Sequence, residues 1–227
     1  MSDILYDELI CLYHPDLFEY ECCGGIVAVC EQESCATVRK AEICYHGKLL
    51  AIKNDLLKEC HKIYKNNENN SPELRHECDG IFFLTNREQK YFVLIELKSK
   101  YNQDNIVKAE KQLAASYTRV LSRLSCLRNF DAKKYKACGI IISHAPTANE
   151  LLKINKKRQI RQSLDRYEKQ MLTFRDDDTP FELNRLFVRM HNLPIREDLL
   201  FDVLPIFHVN CYGESVKFDL DTILRNL

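Results

Sequence analysis

Hydrophobic and polar positions divide the chain into segments with helical and strand-like periodicity. Residues 3–13 place apolar side chains near one face of a short predicted helix, and the β-branched and aromatic segment 18–30 predicts strands joined by a turn. Apolar residues recur at three- and four-residue spacing over 48–64, which predicts a second helix. The polar, turn-rich residues 66–72 then form a connector.

The middle of the chain predicts a hairpin followed by a helix and a buried strand. Two apolar runs, 77–84 and 91–98, flank the short polar segment 85–90, as in an antiparallel hairpin. Residues 102–105 offer N-cap side chains for an amphipathic helix, and 136–143 is apolar enough for a buried strand. The order helix, strand, strand, helix, strand predicts an α/β fold with a central mixed β-sheet flanked by helices.

The remaining segments are less regular. Residues 148–174 predict a basic helix that ends at the Asp-rich residues 176–180, and a helix over 181–192 with a strand over 203–212 closes the chain. We expect one compact domain with three parts: an N-terminal extension 1–46, a core 47–145 and a C-terminal part 146–227 that holds the basic helix and the closing elements.

Charge and targeting signals narrow the class of protein. The 33 Lys and Arg residues balance the 33 Asp and Glu residues, so the chain lacks the strong positive charge of a nucleic-acid coat protein, and contact with phosphates would need a local basic patch. No apolar run reaches the length of a membrane span, and the first residues lack the pattern of a signal peptide. These features predict a soluble cytoplasmic protein without a membrane partner.

The cysteine pattern does not favour disulfides or zinc. There are 11 cysteines, an odd number, and no C-x-x-C pair. Structural zinc sites usually combine such close pairs, so reduced thiols that pack as small hydrophobic side chains are the better interpretation. The residues weighed and set aside as zinc ligands are His14, Cys22, Cys23, Cys30, Cys35, Cys44 and His46.

Candidate chemistry comes from Glu96 and Lys98, two charges at the end of a predicted buried strand. Residues two apart in a strand point to the same face, so these side chains project together. Burying charge is costly unless it is paired or metal-bound. The E-x-K spacing alone is weak, because Glu88 and Lys90 in the polar turn repeat it.

The hairpin adds a second carboxylate. If the hairpin is symmetric about its turn, Leu84 faces Tyr91 and Asp79 faces Glu96. Opposed side chains of an antiparallel pair have Cβ atoms about 4.5–5.5 Å apart. Two carboxylates at that distance repel each other unless a cation lies between them, and both suit a hard ion such as Mg²⁺.

Five features occur in order along the chain: Asp79, the hairpin, the Glu96-Leu97-Lys98 triplet, a helix and a buried strand. Over roughly residues 48–145 this order resembles the PD-(D/E)xK, restriction-endonuclease-like nuclease superfamily. The resemblance implies a Mg²⁺-dependent phosphodiesterase, with Mn²⁺ as a substitute ion. Asp79 and Glu96 would ligate the metal, and Lys98 would stabilise the phosphate or assist the nucleophile. It also favours DNA over RNA as substrate and suggests roles in restriction, phage defence or repair.

The chain departs from the family pattern in two respects. Cys78 stands where the motif has proline. The additional acidic ligand of the family has three candidates here: Glu59, Glu77 and Glu8. Gln112 resembles a glutamine that some RecB-like members place near the site, although its spacing to Tyr117 is one residue longer than theirs.

Partners and alternatives stay open at the level of sequence. A partner protein that selects the target and a homo-oligomer are both compatible with the chain. One alternative is a catalytically inactive nucleic-acid-binding or assembly protein of the same fold; another is an interaction domain in which the three charges form a structural ion-pair network. The residues that could follow a phosphate backbone are Lys153, Lys156, Lys157, Arg158 and Arg161.

Overall fold

A computed structural model describes residues 4–58, 74–160, 163–173, 180–185, 187–188 and 193–227. These residues form two β-sheets and six α-helices. The strands are β1 (Phe18–Glu21), β2 (Gly25–Cys30), β3 (Lys40–Tyr45), β4 (Lys48–Ile52), β5 (Gly80–Asn86), β6 (Gln89–Lys98), β7 (Tyr135–Ser143), β8 (Phe181–Asn184), β9 (Val203–Asn210) and β10 (Ser215–Asp219). The helices are α1 (Ile4–Leu12), α2 (Asp55–Lys58), α3 (Gln103–Leu124), α4 (Ala148–Gln159), α5 (Arg166–Thr173) and α6 (Leu220–Leu224).

The larger sheet is mixed and has seven strands in the order β1-β4-β5-β6-β7-β9-β8. β5 and β6 form the predicted antiparallel hairpin, in which Leu84 faces Tyr91 as the symmetric turn requires. β6 and β7 run parallel, and the chain crosses between them through α3. The predicted α/β architecture with a central mixed sheet is confirmed.

Both faces of β6 are buried, each against a different layer. Phe92 and Leu94 pack in one core cluster with Leu113 of α3, whereas Val93 and Ile95 pack in a second cluster with β2 and β3 of the smaller sheet. The smaller sheet has the strand order β10-β3-β2. The central hairpin is therefore held between a helix layer and a second sheet, which the sequence pattern did not indicate.

α3 begins where the sequence predicted an N-cap. The Asn102 side chain accepts a hydrogen bond from the backbone N–H of Asn105, satisfying a donor that the first turn would otherwise leave unpaired. The buried stripe of the helix includes Ile106, Leu113 and Leu124. Among the described residues no helix, α3 included, is long and apolar enough to cross a membrane.

The predicted helix over 48–64 is wrong at its start. Residues 48–52 are strand β4, which pairs with β1 on one side and β5 on the other. Four consecutive buried residues, Leu49 to Ile52, fill both faces of an internal strand, and such a short continuous apolar run does not distinguish strand from helix by spacing alone. A short helix does follow as α2, while the rest of the predicted helix and the connector 66–72 lie outside the described residues.

The C-terminal third also differs from prediction. The single helix over 148–174 is two helices, α4 and α5, and the start of the predicted helix over 181–192 is strand β8, which pairs with β9. The closing strand itself is confirmed, as are the N-terminal helix and the strands within 18–30. β1 and β2 join different sheets, so the segments outside the core supply strands to both layers.

Candidate active site

Glu96 and Lys98 end strand β6 on the face that also carries Phe92 and Leu94. Glu96 is fully buried and Lys98 is 9 % exposed. The Lys98 ammonium donates a hydrogen bond to Glu96 Oε1. Glu96 Oε2 has no hydrogen-bond partner in the part of the chain that the structure describes. Because a buried carboxylate oxygen without a donor is costly, the ion pair with Lys98 does not by itself account for this carboxylate.

Asp79 lies directly before β5 and next to this pair. The last hairpin pair is Gly80 with Ile95, so one further step of the same register would place Asp79 opposite Glu96, the pairing that the sequence predicted. Asp79 Oδ2 accepts a hydrogen bond of 2.7 Å from the backbone N–H of Leu97. That bond ties the aspartate to the end of β6 between the two charged residues.

Gly80 allows the smaller sheet to approach this end of the hairpin. A Cβ atom at Gly80 would lie 2.8 Å from Val29 Cγ2, closer than real Cβ atoms pack, and a tight 3.3 Å from Ile95 Cβ. Only glycine leaves room for Val29 of β2 at this point. The contact brings the end of β2 beside Asp79.

The two carboxyl groups share an unfavourable environment for negative charge. Burial raises the pKa of Asp79 to about 6, against the lowering effect of the hydrogen bond from Leu97. The pKa of Glu96 is raised well above its ordinary value, first by burial and then by the charge of Asp79, while Lys98 acts in the opposite direction. Perturbed carboxyl groups of this kind are concentrated at functional sites.

Two clefts meet at Asp79. The smaller, about 190 Å³, is lined by Asp79 and Lys98 together with Lys108 and Gln112 of α3. The larger, about 420 Å³, runs from Asp79 between β2 and the strands β4 and β5. Lys98 therefore borders open space that a ligand can enter.

The loop after β2 adds two acidic side chains that the sequence analysis missed. Glu31 lines both clefts with Asp79, and Glu33 lines the smaller one. The only local signal is an acidic Glu-Gln-Glu sequence directly after an apolar strand. That signal carries no information about distance from Asp79, since β2 belongs to the other sheet.

Gln112 lies at the cleft, as its resemblance to the RecB-like glutamine implied. Its Nε2 donates a 2.8 Å hydrogen bond to the Glu77 carbonyl, while its Oε1 is buried without a hydrogen-bond partner among the described residues. Tyr117, the other residue of that pattern, instead packs between the rings of Phe92 and Phe201.

Of the three candidates for the additional acidic ligand, the two that the structure describes both bind other protein groups, although Glu77 also lines the larger cleft with Asp79. Glu77 precedes β5 instead of lying on it and is ion-paired at 3.2 Å with Arg119 of α3. Glu8 binds Asn129, beside Lys90 at the opposite end of β6, because α1 packs there. Glu59 lies outside the described residues.

Four of the five predicted phosphate-binding residues are on α4, which follows β7. The last residue of β7, Ser143, is in register with Lys98, so α4 begins beyond the same end of the sheet as the candidate site. Lys157 is ion-paired with Glu168 of α5, and Arg161 lies outside the described residues. The exposed basic residues of α4 are Lys153, Lys156, Lys157 and Arg158.

A second group of metal-binding residue types lies elsewhere. His46, Asp219 and Asp221 each have a potential metal-ligand atom, and these atoms all lie within 4.8 Å of one another. In the described ranges this is the one such set of three or more His, Cys, Asp or Glu residues. Its geometry follows from bonds within the protein: His46 pairs with Asp221 at 2.7 Å, and Asp219 caps α6. It contains none of the cysteines considered above.

No family model matches this chain, and searches of curated proteins and of solved structures returned no match. The superfamily assignment therefore stays a prediction, and the geometry of Asp79, Glu96 and Lys98 is the basis for a functional proposal.

Proposed function

We propose that this protein is a metal-dependent nuclease that hydrolyses phosphodiester bonds of nucleic acid, with DNA the favoured substrate. The observation that carries the proposal is the buried Glu96 carboxylate. One of its oxygens has no hydrogen-bond partner among the described residues, while Asp79 and Lys98 lie beside it at the wall of a cleft. Three ionisable groups are costly to hold together at a sheet end unless their charges serve a ligand.

The donor set fits a hard divalent cation. Asp79 and Glu96 offer only carboxylate oxygens, which suit Mg²⁺ and Mn²⁺. Within the described part of the chain, Glu96 Oε2 has no hydrogen-bond partner, and Asp79 has acceptor capacity beyond the bond that it accepts from Leu97. These two residues would hold the ion. When bound, it would lower the pKa of a water molecule and stabilise the departing oxygen of the phosphodiester.

The other residues of the cleft would bind and orient the substrate. The Lys98 ammonium is a point charge at the rim and would bind the scissile phosphate once Glu96 is neutralised by another cation. Gln112 lines the same cleft, and its Oε1 would hold the attacking water by accepting a hydrogen bond from it. Exposed Lys108, one turn before Gln112 on α3, adds positive charge for a neighbouring phosphate.

The basic face of α4 would hold the substrate strand, since it extends from the same end of the sheet. The preference for DNA comes from the superfamily resemblance, because none of the residues named here is assigned to the ribose 2′-hydroxyl that distinguishes RNA.

Cleavage assays with matched variants test the proposal. Plasmid, single-stranded DNA and RNA would be incubated with the protein in Mg²⁺, Mn²⁺ and EDTA. We expect cleavage that EDTA abolishes and that is lost in Asp79→Asn, Glu96→Gln and Lys98→Ala. The second E-x-K triplet supplies the control: Glu88→Gln removes an exposed carboxylate in the hairpin turn and should cut like wild type.

Absence of cleavage on every substrate, or equal cleavage by wild type and Lys98→Ala, would refute the proposal. The first outcome, combined with binding of nucleic acid, would instead favour the inactive binding protein of the same fold. Absence of both cleavage and nucleic-acid binding would favour the interaction domain in which the three charges form a structural ion-pair network.

A further inference from the structure

The loop that follows β2 brings negative charge from the smaller sheet to the candidate site. Val29, near the end of β2, packs against the position of Gly80, the residue after Asp79. Glu31 follows two residues later. Because the chain leaves β2 at this contact, the position of Glu31 is set by the packing of one sheet on the other.

Backbone contacts hold Glu31 in this position. Its N–H donates a 3.0 Å hydrogen bond to the Arg39 carbonyl, and its Oε1 accepts a 3.0 Å bond from the N–H of Glu33. Glu31 lines both clefts that meet at Asp79.

We propose that Glu31 is the third carboxylate of the divalent-cation site, so that the smaller sheet forms one wall of the active site. The inference rests on the proposed nuclease function and adds to it the acidic residue that the sequence left unassigned. An independent observation points to a cation here: Glu96, fully buried, keeps Oε2 without a hydrogen-bond partner among the described residues. The ligand class is a hard divalent cation, Mg²⁺ or Mn²⁺.

We assign Glu31 to the hydration shell of the ion and not to its direct ligands. Two direct ligands of one Mg²⁺ ion lie at most about 4.2 Å apart, twice the coordination distance of about 2.1 Å. Among the described residues, Glu31, Asp79 and Glu96 are not a set whose ligand atoms all lie within 4.8 Å of one another. Mg²⁺ usually keeps several of its waters, so Glu31 acts through the hydration shell of the ion. Mutation of a residue that supports a metal site without binding the ion directly typically changes metal affinity about 10- to 100-fold.

Direct metal binding tests the inference without any nucleic acid or turnover. Titration of the full chain with Mn²⁺, followed by calorimetry and by the electron paramagnetic resonance of free Mn²⁺, should show about 10-fold weaker binding for Glu31→Gln. Glu31→Asp keeps the charge and should recover most of the affinity. The matched control is Glu42→Gln, on the neighbouring strand β3, where the carboxylate is paired with Lys40 and borders neither cleft.

The outcomes separate this inference from the function on which it rests. Affinity of Glu31→Gln within twofold of wild type, with Asp79→Asn no longer binding, would overturn the role of Glu31 and leave the nuclease site intact. A loss in Glu42→Gln equal to that in Glu31→Gln would overturn it too, because general surface charge would then explain both. Failure of wild-type protein to bind Mn²⁺ would overturn the inference and the metal-dependent function together.

Discussion

Replacement of Asp79 with asparagine should stabilise the metal-free protein at neutral pH while abolishing its response to Mg²⁺. Asparagine is nearly isosteric with aspartate, and its side-chain oxygen can accept the hydrogen bond that Leu97 donates. The substitution therefore removes the buried charge and little else. Natural proteins commonly sacrifice stability at functional sites, so such a gain is itself diagnostic.

The magnitude follows from the pKa of Asp79. Burial raises it from 3.8 to about 6. At about 1.4 kcal/mol per pKa unit this interval corresponds to about 3 kcal/mol of stability lost on ionisation. Asp79 is partly accessible from the cleft, and solvent screening reduces the effect, so we expect Asp79→Asn to gain about 1–3 kcal/mol.

The pH dependence has a definite sign. A carboxyl group whose pKa is higher in the folded state binds its proton more tightly there than in the unfolded chain. Its contribution to stability is complete below about pH 3.8 and is lost as the pH rises through about 6. Asparagine does not titrate. The advantage of Asp79→Asn should therefore be small near pH 4 and complete above about pH 7.

Urea unfolding in EDTA at several pH values measures this difference, with Glu88→Gln as the control for loss of an exposed carboxylate. Addition of Mg²⁺ at about 100 times its dissociation constant should stabilise wild type by about 2.7 kcal/mol and leave Asp79→Asn unchanged. A variant that is less stable than wild type at pH 8, or whose advantage is the same at pH 4 and pH 8, would refute the reasoning.

Three further predictions concern the lysine, a turn and the basic helix. Lys98→Met should abolish cleavage yet bind Mn²⁺ at least as tightly as wild type, because the competing ammonium is gone; weaker binding in calorimetry would contradict this. Gly47→Ala should lower the free energy of unfolding by about 2 kcal/mol or more, since Gly47 has a φ of +98° and a Cβ there would lie 2.2 Å from the Thr85 carbonyl oxygen. Gly213→Ala, with no heavy atom within 4 Å of its Cβ, is the control and should be nearly neutral in urea. Replacement of three basic residues of α4 together, Lys153→Ala, Lys156→Ala and Arg158→Ala, should weaken DNA binding and reduce the slope of log affinity against log salt by up to about 3. The control Lys133→Ala, at the other end of β7, should leave DNA binding and the slope unchanged. Equal slopes for the triple variant and wild type would exclude α4 as the strand-binding surface.

Local pattern predicted the hairpin and its register well. The short polar turn and the two apolar runs place Leu84 opposite Tyr91, as observed, because a one-residue slip would turn every buried side chain to the wrong face. The same kind of pattern failed at Leu49 to Ile52, where a continuous apolar run suits a strand buried on both sides as well as a helix. It failed again at β8, a short strand whose pairing with β9 lies outside the reach of local periodicity.

The sequence by itself determined the neighbourhood of Asp79, Glu96 and Lys98, because strand alternation and a symmetric turn are local rules that act over a few residues. Only the tertiary structure decided what surrounds them. It gave Glu8 and Glu77 other partners within the protein, and it brought Glu31 to the site through the contact of Val29 with Gly80. That contact joins two sheets from distant parts of the chain, and close packing between layers leaves no periodic trace in the sequence of either one.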